Sequence, residues 1–160
     1  MPSDWDNAPA AAEGGGAPAP DFLVVDRFAI ERGTGTDRPC ALISVHATST
    51  TPPRLPEAGN LVESLQLAFD DIEPMPEGLM LPGARLMTDE QARAIARFAA
   101  RHAGRVEVFI CQCDAGVSRS AAIAAALCEA FGGDPARFFR DFEPNRYVYR
   151  NVLEAMEGRA

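Results

Sequence analysis

The chain has 160 residues, enough for one domain of ordinary size with a sizeable core. Hydrophobic residues make up 47% of it and charged residues 24%, a balance that indicates a soluble globular protein. The net charge of -8 disfavours nucleic acid and anionic membranes as partners, because both require a basic surface. No stretch approaches the ~20 apolar residues that span a bilayer.

The four cysteines stand in apolar or loop contexts, and their spacing is not that of a disulfide framework: Cys40, Cys111, Cys113 and Cys128. The sequence opens without the basic and then apolar stretch of a signal peptide. Free thiols of this kind fit a reducing compartment. We therefore expect a cytoplasmic protein.

The first 20 residues are rich in Ala, Gly and Pro and predict a disordered tail, so a single domain is expected over residues 21–160. Strands are predicted at residues 22–25, 39–47 and 61–69. An acidic, proline-containing loop follows over residues 70–82. Thr88 and Gln91 then predict a capping box at the start of a helix.

A fourth strand is predicted at residues 106–111, and three helices follow it. The first covers residues 119–131 and ends at two glycines, the second opens at an Asp-Pro pair, and the third covers residues 145–156. This alternation predicts an α/β fold, with a central mixed but mostly parallel sheet flanked by helices.

The most informative segment joins the fourth strand to the first of these helices. It reads Cys113-Asp114-Ala115-Gly116-Val117-Ser118-Arg119-Ser120. The N–H groups of such a loop converge on one point, and the helix dipole adds positive potential there, so the segment predicts an anion site. The helix N-terminus and a nearby cation favour the thiolate of Cys113, and Arg119 can grip two phosphate oxygens. Gly116 supplies a backbone angle or a close approach that a side chain would block.

The spacing Cys-x5-Arg-Ser resembles the phosphate-binding loop of the cysteine-based protein tyrosine and dual-specificity phosphatases. The resemblance implies that Cys113 is the nucleophile, that Ser120 helps the sulfur to leave, and that a phosphoprotein or phosphopeptide is the substrate. It implies catalysis with no metal and no cofactor. It also implies that the phosphate is bound by Asp114, Ala115, Gly116, Val117, Ser118 and Arg119. The family usually has His before the nucleophile, and this chain has Gln112 instead.

Phosphoryl transfer to a thiolate also needs an acid that protonates the leaving oxygen. The resembled family carries it as an aspartate on a loop that follows a strand. The segment Phe69-Asp70-Asp71-Ile72-Glu73-Pro74 has a similar Phe-x-Asp spacing with a proline after it. This spacing favours Asp71 as the acid, with Asp70 as the alternative.

Two other functions stay open on the sequence. Gln112 weakly favours a module that binds phosphate or a phosphopeptide without turnover. A rhodanese-like sulfurtransferase also places a cysteine in an anion-binding loop before a helix, but it would need no aspartate acid. The spacing of the cysteines and histidines matches no zinc pattern.

Overall fold

The computed structural model describes residues 19–76 and 82–158. The predicted tail, apart from its last two residues, and part of the acidic loop therefore lie outside the described residues. Within the described ranges, no helix is both long enough and apolar enough to cross a membrane.

The strands of the described residues form one sheet, made of β1 (Asp21–Val25), β2 (Cys40–His46), β3 (Leu61–Ala68) and β4 (Val108–Gln112). Their order across the sheet is β1-β4-β2-β3, and every neighbouring pair is parallel. Every residue of β2 and β4 is buried, as expected for parallel strands that are covered on both faces. The predicted α/β class is confirmed, and the sheet is parallel throughout.

The helices are α1 (Arg27–Ile30), α2 (Asp89–His102), α3 (Arg119–Ala130), α4 (Ala136–Asp141) and α5 (Arg146–Met156). The predicted capping box opens α2, since Thr88 Oγ1 accepts from the Gln91 N–H at 3.0 Å and Gln91 Oε1 accepts from the Thr88 N–H at 2.9 Å. The short helix α1 was not predicted. It begins after Asp26, whose carboxylate accepts a hydrogen bond from the Ala29 N–H.

Helix α3 is the centre of the core. Ten of its residues are buried, from Arg119 to Cys128, and half of them are alanine. These small side chains allow α3 to lie close to α5 and to strands β1 and β4, all of which it contacts. Because α3 begins just beyond the end of β4, this packing fixes the loop between them.

Candidate active site

Strand β4 lies between β1 and β2, so the loop after it meets the segments that follow both neighbours. The Cys113 N–H donates to the carbonyl of Val25 at 3.3 Å, and the carbonyl of Asp114 accepts from the Arg27 N–H at 3.2 Å. On the other side, the Asp114 carboxylate accepts from the Ala47 N–H at 3.0 Å. The carboxyl ends of three adjacent parallel strands therefore hold the loop, the usual place for a ligand site in such sheets.

Gly116 makes the closest approach in this loop. Its φ is +69°, in the left-handed region that residues with a side chain rarely adopt. A Cβ added there would lie 2.7 Å from the backbone N of Asp26 and 2.8 Å from the backbone C of Val25. The sequence predicted either a special backbone angle or a close approach at this position, and Gly116 has both.

Cys113 and Ser120 meet at the N-terminus of α3. Cys113 Sγ lies 3.1 Å from Ser120 Oγ, and both residues are buried. When the sulfur is a thiolate, the hydroxyl is the donor. Ser118, at the N-cap position, makes no side-chain hydrogen bond to the first turn of α3, so that no capping oxygen competes with an anion for these N–H groups.

Arg119, the first residue of α3, is buried and only 6% exposed. Its Nη1 donates to the carbonyl of Phe69 at 2.7 Å, and its Nη2 lies 3.5 Å from Oδ2 of Asp114. Its Nε is buried and has no hydrogen-bond partner among the described residues. A buried donor without a partner is costly and is typical of a ligand-binding group. The guanidinium is thus held in place and keeps an N–H for an anion.

Asp71, the predicted acid, lies against the segment of residues 113–120, which is called the phosphate loop after the predicted anion site. Its Oδ1 accepts hydrogen bonds from Ser118 Oγ at 2.8 Å and from Asn145 Nδ2 at 3.0 Å. The structure therefore brings Asp71 to the loop that carries Cys113, although the two are distant in sequence.

Asp70, the alternative acid, is held by other groups. Its carboxylate accepts from the N–H and the hydroxyl of Thr48, at 2.9 and 2.8 Å, and from the N–H of Arg85 at 2.8 Å. Burial alone would raise the pKa of Asp70, but these hydrogen bonds and the charge of Arg119 hold it below its ordinary value. Asp70 is thus an ionised group whose hydrogen bonds fix the base of the acidic loop.

Gln112 and Cys111 face the core beside the site. Gln112 is fully buried and its Oε1 accepts from the hydroxyl of Ser44, whereas its Nε2 has no partner among the described residues. Burial, and secondarily the neighbouring Cys113, raise the pKa of Cys111 far above its ordinary value. Cys111 is therefore a core thiol that stays protonated.

Two residues of the site were not predicted. Arg27 places Nη1 3.4 Å from Oδ1 of Asp114, and Asn145 bonds to Asp71. In the sequence, Asn145 was interpreted only as the first residue of a helix, and Arg27 belongs to no motif. Within the described ranges, no group of three His, Cys, Asp or Glu residues is placed to hold a metal ion.

No protein-family model and no curated protein sequence matches the chain. Solved structures similar to it include human DUSP28, with 19% identity over 88% of this chain and 94% of that chain and a TM-score of 0.46. Tk-PTP in its active form has 18% identity, coverage of 87% and 91%, and a TM-score of 0.46. PTPMT1 in complex with PI(5)P has 17% identity, coverage of 74% and 76%, and a TM-score of 0.46. These similarities are distant.

Proposed function

We propose that this protein is a protein phosphatase that hydrolyses phosphotyrosine through a cysteinyl-phosphate intermediate on Cys113. The observation that carries the proposal is the arrangement at the N-terminus of α3. There the buried thiol lies 3.1 Å from the Ser120 hydroxyl, next to a buried arginine with an unpaired N–H. The sequence around Arg119 thus supplies a nucleophile, an anion cradle and a fixed positive charge in one loop.

In the first step, the Cys113 thiolate attacks phosphorus in line with the bond to the tyrosine oxygen. The S–P bond forms as that P–O bond breaks, and Asp71 gives its proton to the departing oxygen. The loop N–H groups and Arg119 bind the three remaining phosphate oxygens, whose charge they stabilise. The products of this step are tyrosine and the phosphocysteine.

In the second step, water attacks the phosphorus of the phosphocysteine and gives a proton to the Asp71 carboxylate. The S–P bond breaks, and the sulfur leaves as a thiolate that accepts a hydrogen bond from Ser120. Inorganic phosphate departs, and both Cys113 and Asp71 return to their starting protonation states. Every proton in the cycle is carried by residues of this chain or by water.

The proposed substrate class follows from the leaving group of the first step. A phenol leaves more easily than an aliphatic alcohol, so phosphotyrosine is the first substrate and phosphoserine and phosphothreonine are slower ones. A thiolate nucleophile must also remain reduced, which supports a cytoplasmic site of action.

The test compares 4-nitrophenyl phosphate and a phosphotyrosine peptide as substrates, with a chelator present. Cys113→Ser should lower kcat/KM at least roughly 10³-fold, as removal of a nucleophile does. Cys128→Ser is the matched control, because the thiol of Cys128 is as buried as that of Cys113 but lies near the C-terminal end of α3. There it donates to the carbonyl of Asp134. This variant should retain activity.

Two results would overturn the proposal. A folded wild-type protein that binds vanadate or phosphate without turnover would be a binding module. Transfer of sulfur from thiosulfate to cyanide, with no release of phosphate from either substrate, would indicate a sulfurtransferase.

Acid quenching of the Asp71→Asn variant should also trap phosphate on Cys113, because that variant lacks the base of the second step.

A further inference from the structure

Asn145 lies where three parts of the site meet: the acidic loop, the phosphate loop and the N-terminus of α5. It is only 4% exposed, which is unusual for an asparagine. Its backbone N–H donates to the carbonyl of Ser118 at 3.1 Å, so the residue is anchored directly to the phosphate loop.

The hydrogen bonds of its side chain fix which way the amide points. Oδ1 accepts from the N–H of Val148 at 3.0 Å and caps α5. Nδ2 donates to the carbonyl of Ile72 at 3.0 Å and to Oδ1 of Asp71 at 3.0 Å. If the amide were turned over, its NH2 group would face the N–H of Val148 and its oxygen would face the carbonyl of Ile72. Neither pair can form a hydrogen bond, so the amide takes only the observed orientation.

The amide does more than cap a helix. An N-cap requires only an oxygen, which Asp, Ser or Thr supplies as well as Asn does. Only an amide adds a donor to that acceptor, and here the donor binds the acidic loop at two atoms, one of them the carboxylate of Asp71.

Oδ1 of Asp71 receives two donors, from Asn145 and Ser118, and among the described residues no donor reaches Oδ2. In a protonated carboxyl group, one oxygen carries the proton and the other accepts. An oxygen that already accepts two hydrogen bonds is the accepting one. With both groups donating to Oδ1, the transferable proton belongs on Oδ2.

We propose that Asn145 is the positioning residue of the general acid, holding Asp71 against the phosphate loop and confining its transferable proton to Oδ2. This inference rests on the proposed phosphatase function and on Asp71 as its acid. Asn145 would then serve two purposes, because its oxygen caps α5 and its NH2 group positions the acid.

The experiment uses Asn145→Ser, which keeps a capping oxygen but has no amide, and two substrates that differ in their need for an acid. Phenyl phosphate has a poor leaving group, whereas 4-nitrophenyl phosphate releases a phenolate that needs little protonation. General acids contribute ~10²–10⁴-fold. We expect kcat/KM for phenyl phosphate to fall roughly 10–100-fold and kcat/KM for 4-nitrophenyl phosphate to fall only about threefold, because it depends little on the acid.

Two further variants separate positioning from folding. Asn151→Ser is the matched control, because this asparagine lies on the same helix and, among the described residues, its side chain binds only the Tyr147 carbonyl. It should leave the ratio of the two substrates unchanged. In a background of Asp71→Asn, Asn145→Ser should cause no further loss, since both changes remove the same proton transfer.

Equal losses on both substrates, or losses that add to those of Asp71→Asn, would make Asn145 a helix cap alone and overturn the inference, while the phosphatase would stand. If Asn145→Ser fails to fold, Asn145→Asp keeps the cap and lacks the donor, and the same selective loss is expected. A wild-type protein that hydrolyses neither substrate would instead refute the proposed function. If Asp71→Asn showed no dependence on the leaving group, the acid assignment and the inference would both fail.

Discussion

Gly116→Ala offers the sharpest test of how the phosphate loop is held. Alanine must adopt a φ of +69° there, which costs roughly 1–2 kcal/mol. Its Cβ would also lie 2.7 Å from the backbone N of Asp26, about 0.7 Å short of an ordinary contact at 3.4 Å. Backbone atoms cannot rotate away as the end of a side chain does, so crowding adds roughly 1–3 kcal/mol. The expected loss of unfolding free energy is thus about 2–5 kcal/mol.

Gly35 provides a matched control. Its φ is +75°, close to that of Gly116, but a Cβ added there would have nothing within 4 Å. Gly35→Ala therefore carries the conformational cost alone, about 1–2 kcal/mol. The difference between the two variants isolates the close approach of the loop to the segment after β1.

Urea unfolding gives both free energies, and hydrolysis of 4-nitrophenyl phosphate reports the displacement of the loop. A shift of several tenths of an ångström in the anion cradle should lower kcat/KM about 10–100-fold in Gly116→Ala and leave Gly35→Ala unchanged. If the two variants lost the same stability and both kept full activity, the contact would not constrain the loop, and the reasoning would be refuted.

Two predictions concern pH. The pKa of Asp70 is below its ordinary value, so its ionised form stabilises the fold above about pH 4, and this contribution is lost as the pH falls through the folded pKa. Asp70→Asn should lower the free energy of unfolding at neutral pH and weaken the fall of the urea midpoint as the pH is lowered below about 4. If the urea midpoint fell as steeply in the variant as in the wild type, the lowered pKa of Asp70 would be contradicted. Burial, and then the hydrogen bond to Glu129, raise the pKa of Tyr149 to about 12, so its contribution is complete below about pH 10 and is lost as the pH rises towards that value. Tyr149→Phe should cost about 1 kcal/mol at neutral pH and reduce the loss of stability above pH 10; equal alkaline slopes in both proteins would count against it.

The strands, the longer helices and the anion loop could be predicted because local patterns specify them. The apolar run that forms β4 predicts a buried strand whichever strands it pairs with. The capping box at Thr88 needs only two residues that are three positions apart. The sequence of the phosphate loop likewise contains its own strand end, glycine and helix start. Each of these signals is complete within about ten residues.

The rest depended on contacts between distant segments. Asp70 and Asp71 are neighbours in sequence but meet different partners in the fold, and Asn145 reaches Asp71 across 74 positions of sequence. Helix α1 has four residues, too few to show a helical period, and it is held by the loop that it packs against. The parallel direction of every strand pair also follows from the connections and not from any single strand.

The order of the strands also limits how early in synthesis the proposed site can assemble. β1 pairs with β4, and Arg27 and Asp114, which meet at the end of that pair, are separated by 87 residues in sequence. Non-local parallel pairing forms slowly, because a long loop must close before any contact rewards it. A nascent chain that has exposed Cys113 but not yet Asn145 cannot form the contact between Asn145 and Asp71. The proposed site can therefore be complete only when almost the whole domain has left the ribosome.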